Sequence, residues 1–416
     1  MAYDAENKIE ETVILIGVQQ EDSLRTEESL EELGELARTA GAKVCAGVIQ
    51  KRESVHPGTY IGKGKIEEVR ELLQILDANG VICDDELSPA QMKNLQEELE
   101  CKVMDRTLLI LDIFAGRART REGKIQVELA QLKYRSARLA GLGTSLSRLG
   151  GGIGTRGPGE KKLEMDRRLI RARIGQLRRE LEEVKRHREV VRSRRSRNNQ
   201  KIAALVGYSS SGKSTTLNYL TGAEVLADEM LFSTLDTTTR ILKLDQNQEI
   251  LLTDTVGFIR KLPHHLVEAF QSTLEEARYA DIIIHVADAS NPQMETQMEV
   301  VYETLKQLQV VNKPVVTIFN KQDKVEEKKH FRDFRADYSL EVSAKTGEGM
   351  EELKEVLGEI LRKGRIYLEH LYPYESAGKI QIIRKYGELL EEEYQEDGIR
   401  IKGYIPGEYY AAVTES

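Results

Sequence analysis

Three cysteines in 416 residues, no apolar run longer than a few residues and no apolar core near the N-terminus set the first limits on this chain. Cys45, Cys83 and Cys101 share no C-x-x-C spacing and have no histidine close by. That excludes a disulfide-stapled scaffold and a cysteine-ligated metal site, and leaves them as small core residues in a reducing compartment. The longest apolar runs, VILIGV, IAALVG and DIIIHVA, are far too short to cross a bilayer. The opening MAYDAENKIEE is acidic and is no secretory leader. These absences point to a protein that stays in the cytoplasm, away from membranes.

What is present is size and charge. A chain of 416 residues with 40% apolar and 31% charged residues suits two to four domains, each with its own core. The formal charge of −8 hides an asymmetry. Residues 117–197 hold 24 Lys and Arg against 9 Asp and Glu, a net of +15, so the remainder carries −23. Such a block inside an acidic chain points to a polyanionic partner, the plainer alternative being a solvated helix face.

Four regions follow from periodicity. Residues 1–105 alternate short apolar strands (TVILIGV, KVCAGVI, GVICDD, CKVMDR) with helical stretches, a small parallel α/β domain without a phosphate loop of its own. Residues 106–198 read as two long helices, over 106–140 and 160–197, forming an antiparallel hairpin. Its tip, 141–160, holds eight glycines, with Arg148 and Arg156 among them and Lys161 and Lys162 just beyond. Glycines let such a segment thread close to RNA, and arginines pair with phosphates or stack on bases. A flexible linker with incidental charge is the alternative. Residues 366–416 read as a strand, a helix over GKIQIIRKYGELLEEEY and a second strand, a small α+β appendage. Its Tyr372, Tyr374, Tyr404, Tyr409 and Tyr410 suit core packing better than binding.

Residues 199–365 carry the chemistry. An apolar strand runs into Gly207, Tyr208, Ser209, Ser210, Ser211 and Gly212, and Lys213, Ser214 and Thr215 open a helix. This is a phosphate loop in its expected strand-to-helix context. Its amides would close around phosphates, Lys213 would reach the β and γ groups, and the Ser214 hydroxyl would ligate Mg²⁺. Asp254, Thr255, Val256 and Gly257 follow a strand, the carboxylate placed to hold Mg²⁺ through water and the Gly257 amide to meet the γ-phosphate. Asn320, Lys321, Gln322 and Asp323 end another strand, and Ser343, Ala344 and Lys345 a third. Two carboxylate oxygens on Asp323 can accept from N1–H and the 2-amino group of guanine, donors that adenine lacks. All four strings in order predict a GTP site with Lys213 and Gly257 catalytic.

Between them lies LFSTLDTTTR, the place for a first switch segment with a threonine hydroxyl on Mg²⁺. Thr234, Thr237, Thr238 and Thr239 are candidates. Phe258 stands where a Ras-like protein carries its water-orienting glutamine. An apolar ring cannot orient water, so slow intrinsic hydrolysis accelerated by a partner is expected. The pair His264 and His265 is either a replacement base or a polar turn.

The strings PGTYIGKGKIEEV, DRTLLILDIFAGRARTREGKIQVELAQL, GGIGTRGPGEKKLEMDRR and DTVGFIRKLPHHLVEAF resemble those of the HflX family of ribosome-associated GTPases, over nearly the whole chain. The resemblance implies an N-terminal α/β domain, a helical hairpin, a Ras-like G domain and a small C-terminal domain. It implies GTP-linked binding to the large ribosomal subunit and its RNA, with splitting or rescue of stalled ribosomes under stress. It makes Thr234 the switch threonine, within Phe232, Ser233, Thr234, Leu235 and Asp236, and so a third catalytic residue. We expect a monomer. Two positions depart from the family pattern. Ser210 replaces an asparagine that in related GTPases helps hold potassium, which puts potassium stimulation in doubt, and Thr237 replaces a proline. A phosphate-loop ATPase or helicase, and an RNA-binding scaffold with little turnover, are the competing classes. Asp323 argues against the former.

Overall fold

The computed structural model describes residues 11–20, 23–146, 158–197, 200–223, 230–232, 234–244, 248–261, 275–326, 330–363 and 365–414. The chain divides into two compact units. The first comprises residues 1–187, 228–236 and 259–272, the second residues 188–227, 237–258 and 273–416.

In the first unit, strands β1 (Thr12–Gln19), β2 (Lys43–Lys51), β3 (Gly80–Cys83) and β4 (Lys102–Asp105) form a parallel sheet in the order β2-β1-β3-β4. Helices α1 (Ser23–Thr39), α2 (Lys63–Ile75) and α3 (Pro89–Leu99) connect them. Ile14, Ile16, Val69, Val81 and Leu95 fill the core between sheet and helices. Ser88 caps α3 reciprocally with Gln91, and Pro89 takes the first helical position. The expected four-stranded α/β domain is present. Cys83 is buried in its core, whereas Cys45 and Cys101 are partly exposed; all three are free.

The single helix expected over 106–140 is two: α4 (Arg106–Arg117) and α5 (Arg121–Leu146). The break has a local cause. Thr120 accepts from the Gly123 amide at 2.9 Å, an N-cap for α5, and the Asp236 carboxylate takes the amides of Arg119 and Thr120 at 2.8 and 2.9 Å. Helix α6 (Pro158–Arg197) runs back antiparallel to α5, since Glu128 meets Arg173 and Arg121 lies opposite Glu180. Leu177 is buried between Ile125 and Leu129. Helix α5 continues through Gly141 and Gly143, so the glycine-rich tip starts later than expected. Arg148 and Arg156 lie outside the described residues, as do the side chains of Lys161 and Lys162.

The second unit centres on a six-stranded sheet, β10-β9-β8-β5-β7-β6. Its strands are β5 (Ile202–Gly207), β6 (Thr238–Lys243), β7 (Glu249–Asp254), β8 (Ile282–Asp288), β9 (Val315–Asn320) and β10 (Tyr338–Glu341). All pairs are parallel except β6 with β7. Helices α7 (Lys213–Thr221), α8 (Met294–Gln307) and α9 (Met350–Arg362) follow β5, β8 and β10. This is a Ras-like arrangement, and parallel strands buried on both faces read as the continuous apolar runs seen in the sequence.

The appendage differs from the expected strand, helix, strand. Helix α10 (Ala377–Tyr386) ends at Gly387, whose backbone is already extended, and ELLEEEYQ forms a strand rather than more helix. Strands β11 (Arg365–Tyr372), β12 (Glu388–Gln395) and β13 (Gly398–Pro406) make an antiparallel sheet in the order β11-β13-β12, followed by α11 (Gly407–Thr414). Tyr372 is buried with its hydroxyl on the Val413 carbonyl, and Tyr409 and Tyr410 pack against the same core. Tyr404 meets Tyr367 edge to face, and Tyr374 is exposed. Glu388 is buried beside Arg362 and Arg365 and accepts from Gln248, joining this sheet to the larger one.

Candidate guanine-nucleotide site

Strand β5 delivers its last residue, Gly207, to the carboxyl edge of the sheet, and the loop turns at once into α7. Gly212 takes φ +99°, and a Cβ there would lie 2.2 Å from the Asn320 amide nitrogen, so only glycine fits. The Lys213 ammonium is buried and donates to the carbonyls of Gly207 at 3.2 Å and Tyr208 at 2.8 Å. Burial pushes it down to about 8, Asp254 pulling upward and Lys321 adding to the fall. A desolvated cation at the start of a helix is what an anionic phosphate requires. Ser210 holds a left-handed φ of 60°, Ser209 and Ser211 are buried, and Thr215 is half-buried.

Strand β7 places Asp254 beside α7, where it accepts from the Ser214 hydroxyl at 2.7 Å. A buried hydroxyl and carboxylate in contact are hard oxygen donors, a set that fits Mg²⁺ shared with phosphates. Among the described residues no group of three His, Cys, Asp or Glu could hold a metal by itself. Thr255 donates to the Leu205 carbonyl and Val256 is buried, so both serve the backbone path. A Cβ on Gly257 would lie 2.7 Å from Ser209 Cα and 3.0 Å from Lys213 Nζ. The chain can pass there only as glycine, which lets it run close past Ser209 and the ammonium. Phe258 is only 2% exposed; its amide donates to Gly207 at 3.1 Å and its carbonyl accepts from Ser209 at 2.7 Å. Its ring packs with Tyr208, Ala204 and Ile283. The residue in the glutamine position is thus a core residue that fastens the two phosphate-facing segments together.

The base-reading strings converge on the same edge. Asn320 donates to the Ser211 carbonyl at 2.9 Å and accepts from the Ala344 amide at 2.9 Å. Ser343 donates to Asp323 at 2.7 Å, orienting the carboxylate. Lys321, at a left-handed φ of 65°, pairs with Asp288, and Gln322 donates through its side chain to Phe319. Lys345 is exposed. The phosphate loop, 254–257, 320–323 and 343–345 therefore form one connected site within the second unit.

Of the first-switch residues, those up to Asp236 belong to the first unit, and Thr237, Thr238 and Thr239 to the second. Phe232 is buried and meets Phe114 edge to face at 4.6 Å, Leu235 and Thr234 are buried, and Asp236 holds the junction between α4 and α5. Phe232 and Asp236, expected to bind nucleotide, are engaged there through their side chains. Thr238 and Thr239 lie in β6, Thr237 immediately before it; Ser233, His264 and His265 fall outside the described residues. Sequence reasoning missed a charged cluster in the first unit. Buried Arg106 pairs with Glu32 and Asp84 and donates to the Arg260 carbonyl; Lys261 meets Asp84 and Asp85, and Arg260 meets Glu28. Burial works against the Asp84 carboxylate, but Arg106 and Lys261 outweigh it and hold it below the usual carboxylate range. The acidic pair in ICDDE and the basic pair in FIRKL were the available signals.

Three family models match the chain: a GTP-binding GTPase N-terminal region over residues 27–115, a GTP-binding GTPase middle region over 117–195, and a 50S ribosome-binding GTPase over 202–321. The GTPase HflX of Lacrimispora saccharolytica is 62% identical over 98% of this chain and 97% of its own. The chain belongs to the HflX GTPase family. Within the family, the GTPase HflX of Caldanaerobacter subterraneus is 48% identical over 91% of this chain and 88% of its own, and that of Escherichia coli 41% over 89% and 87%. A crystal structure of a GTP-binding protein from Sulfolobus solfataricus with GDP aligns at 26% identity and a TM-score of 0.44, over 85% of this chain and 99% of that one. As an HflX-family GTPase, the protein binds and hydrolyses GTP. Among the described residues no helix is long and apolar enough to cross a membrane.

Proposed function

We propose that this GTPase associates in its GTP form with the large ribosomal subunit, where hydrolysis is accelerated, and that it splits or rescues stalled ribosomes under stress. The observation that carries the reading is the pairing of a domain matching a 50S ribosome-binding GTPase with a +15 block on a long helical hairpin. Cations in that number suit phosphate contacts on RNA. The glycine-rich segment, with Arg148, Arg156, Lys161 and Lys162, is the proposed RNA contact. Ser214 would ligate Mg²⁺ and Asp254 would act through water. The ion supplies charge neutralisation for phosphoryl transfer. Lys213 and the Gly257 amide bind and orient the phosphates, and Asp323 reads the base. With Phe258 in the core, that position offers no group to orient water, which supports slow turnover without the partner.

The test is GTP hydrolysis in potassium buffer with and without purified large subunits, alongside sedimentation of whole ribosomes. Strong stimulation together with accumulation of free subunits is the expected result. Tight GTP binding without stimulation would defeat the ribosome reading.

A further inference from the structure

The base-reading turn is supported from outside by a residue that none of the nucleotide strings contains. Helix α7 points its N-terminus at the phosphate loop and buries Leu217 and Leu220 in the core, which leaves Tyr219 on its outer side, 45% exposed. The tip of that ring does not stand free. A Cβ on Gly347 would lie 2.2 Å from the Tyr219 hydroxyl oxygen and 2.6 Å from the ring carbon that bears it. Gly347 also takes φ +90°, so glycine is required there both by its backbone and by the ring laid across it.

Gly347 belongs to the turn that begins with Ser343. Its amide donates to the Ser343 carbonyl at 2.8 Å, the Thr346 amide donates to the Ser343 hydroxyl at 3.3 Å, and the Ser343 amide donates to Glu348 at 2.9 Å. The Ser343 hydroxyl in turn donates to Asp323 at 2.7 Å. A continuous set of contacts therefore runs from α7 through Tyr219, Gly347 and Ser343 to the carboxylate proposed to read guanine. Asn320 also joins the Ala344 amide of the same turn to the Ser211 carbonyl. The turn is fixed to the phosphate-binding element at two places, by Asn320 and by the Tyr219 ring.

We propose that Tyr219 is a positioning residue for base recognition, pressing the 343–349 turn so that Ser343 holds Asp323 in register with the two donor groups of guanine. The proposal rests on the role of Asp323 given above. The Tyr219 ring lies against Gly347 of the base-reading turn, so its loss should weaken base discrimination while sparing phosphoryl transfer. A merely structural ring would lower stability without changing which base is preferred.

The discriminating measurement compares GDP with inosine diphosphate, which keeps N1–H but lacks the 2-amino group, by displacement of a fluorescent GDP analogue from the full chain. Tyr219→Ala should speed GDP dissociation and cut the GDP-to-inosine-diphosphate affinity ratio by about threefold or more, with single-turnover GTP hydrolysis within about twofold of the parent. Tyr219→Phe, which keeps the ring, should retain most of the ratio, and Tyr219→Gln should behave like Tyr219→Ala. Melting temperatures taken alongside separate this from general loosening. An unchanged ratio in Tyr219→Ala and Tyr219→Gln, with Asp323→Asn lowering it, would overturn the role of Tyr219 alone. A ratio unmoved by Asp323→Asn would overturn the reading of Asp323 and this proposal with it.

Discussion

The nucleotide site and the charged cluster around Arg106 are built from different materials. In the site, short polar side chains and main-chain groups hold one another: Asn320 to Ser211 and Ala344, Ser343 to Asp323, Phe258 to Gly207 and Ser209 through backbone alone. In the cluster, long charged side chains from distant parts of the chain meet, Arg106 and Lys261 on Asp84, Arg260 on Glu28. Hydrogen bonds of this kind are little affected by salt, whereas ion pairs are screened by it and titrate with pH. The contrast separates a rigid reading edge from an anchorage that can be released, and it concerns residues 259–261, which directly follow the phosphate-facing string.

The largest effect should come from breaking the cluster at its centre. Arg106→Ala removes the guanidinium that Glu32 and Asp84 share, leaving Lys261 as the cation on buried Asp84, and should cost about 3–5 kcal/mol, read as a shift in the denaturation midpoint. In the site, Lys213→Ala should weaken GTP binding by about a hundredfold, measured by titration with a fluorescent analogue, with little change in melting temperature. Lys261→Ala should cost only about 1 kcal/mol, because its side chain is 43% exposed. If it matched Arg106→Ala, the anchorage would not be releasable.

Acidity sharpens the same contrast. The Asp84 carboxylate is held below its ordinary value in the folded state, so its stabilisation is present above the unfolded value near 4 and is lost as pH falls through the folded one. Acid titration of Arg106→Ala should therefore lose less stability than the parent. The smallest effect is on nucleotide binding. Phosphate requires the charged form of Lys213, already present below its value of about 8, so GDP affinity should be level from pH 6 to 7.5 and decline by about a few-fold toward pH 9. A steady decline beginning at pH 6 would assign the titration to another group.

Much of the site could be read from the chain because its parts are dictated by local chemistry. Glycine at 207, 212 and 257, lysine at 213 and the pair Asn320 and Asp323 are short-range requirements that leave a fixed spacing. The parallel strands were equally legible from their apolar runs. What stayed hidden was set at long range. The break between α4 and α5 depends on Asp236, more than a hundred positions away, accepting two amides. ELLEEEY suits a helix by composition, and only pairing with β13 makes it a strand. Phe232 and Asp236 look like nucleotide contacts in a string, yet their side chains are committed to Phe114 and to residues 119–120.

Helix α6 has forty residues, and at 1.5 Å per residue it is a rod about 60 Å long. Such a rod is a lever. A tilt of about 5° at one end carries the other through about 5 Å, roughly the pitch of one helical turn. An adjustment at its base too small to disturb core packing would thus displace the far end by more than the length of a hydrogen bond, making or breaking contacts there outright.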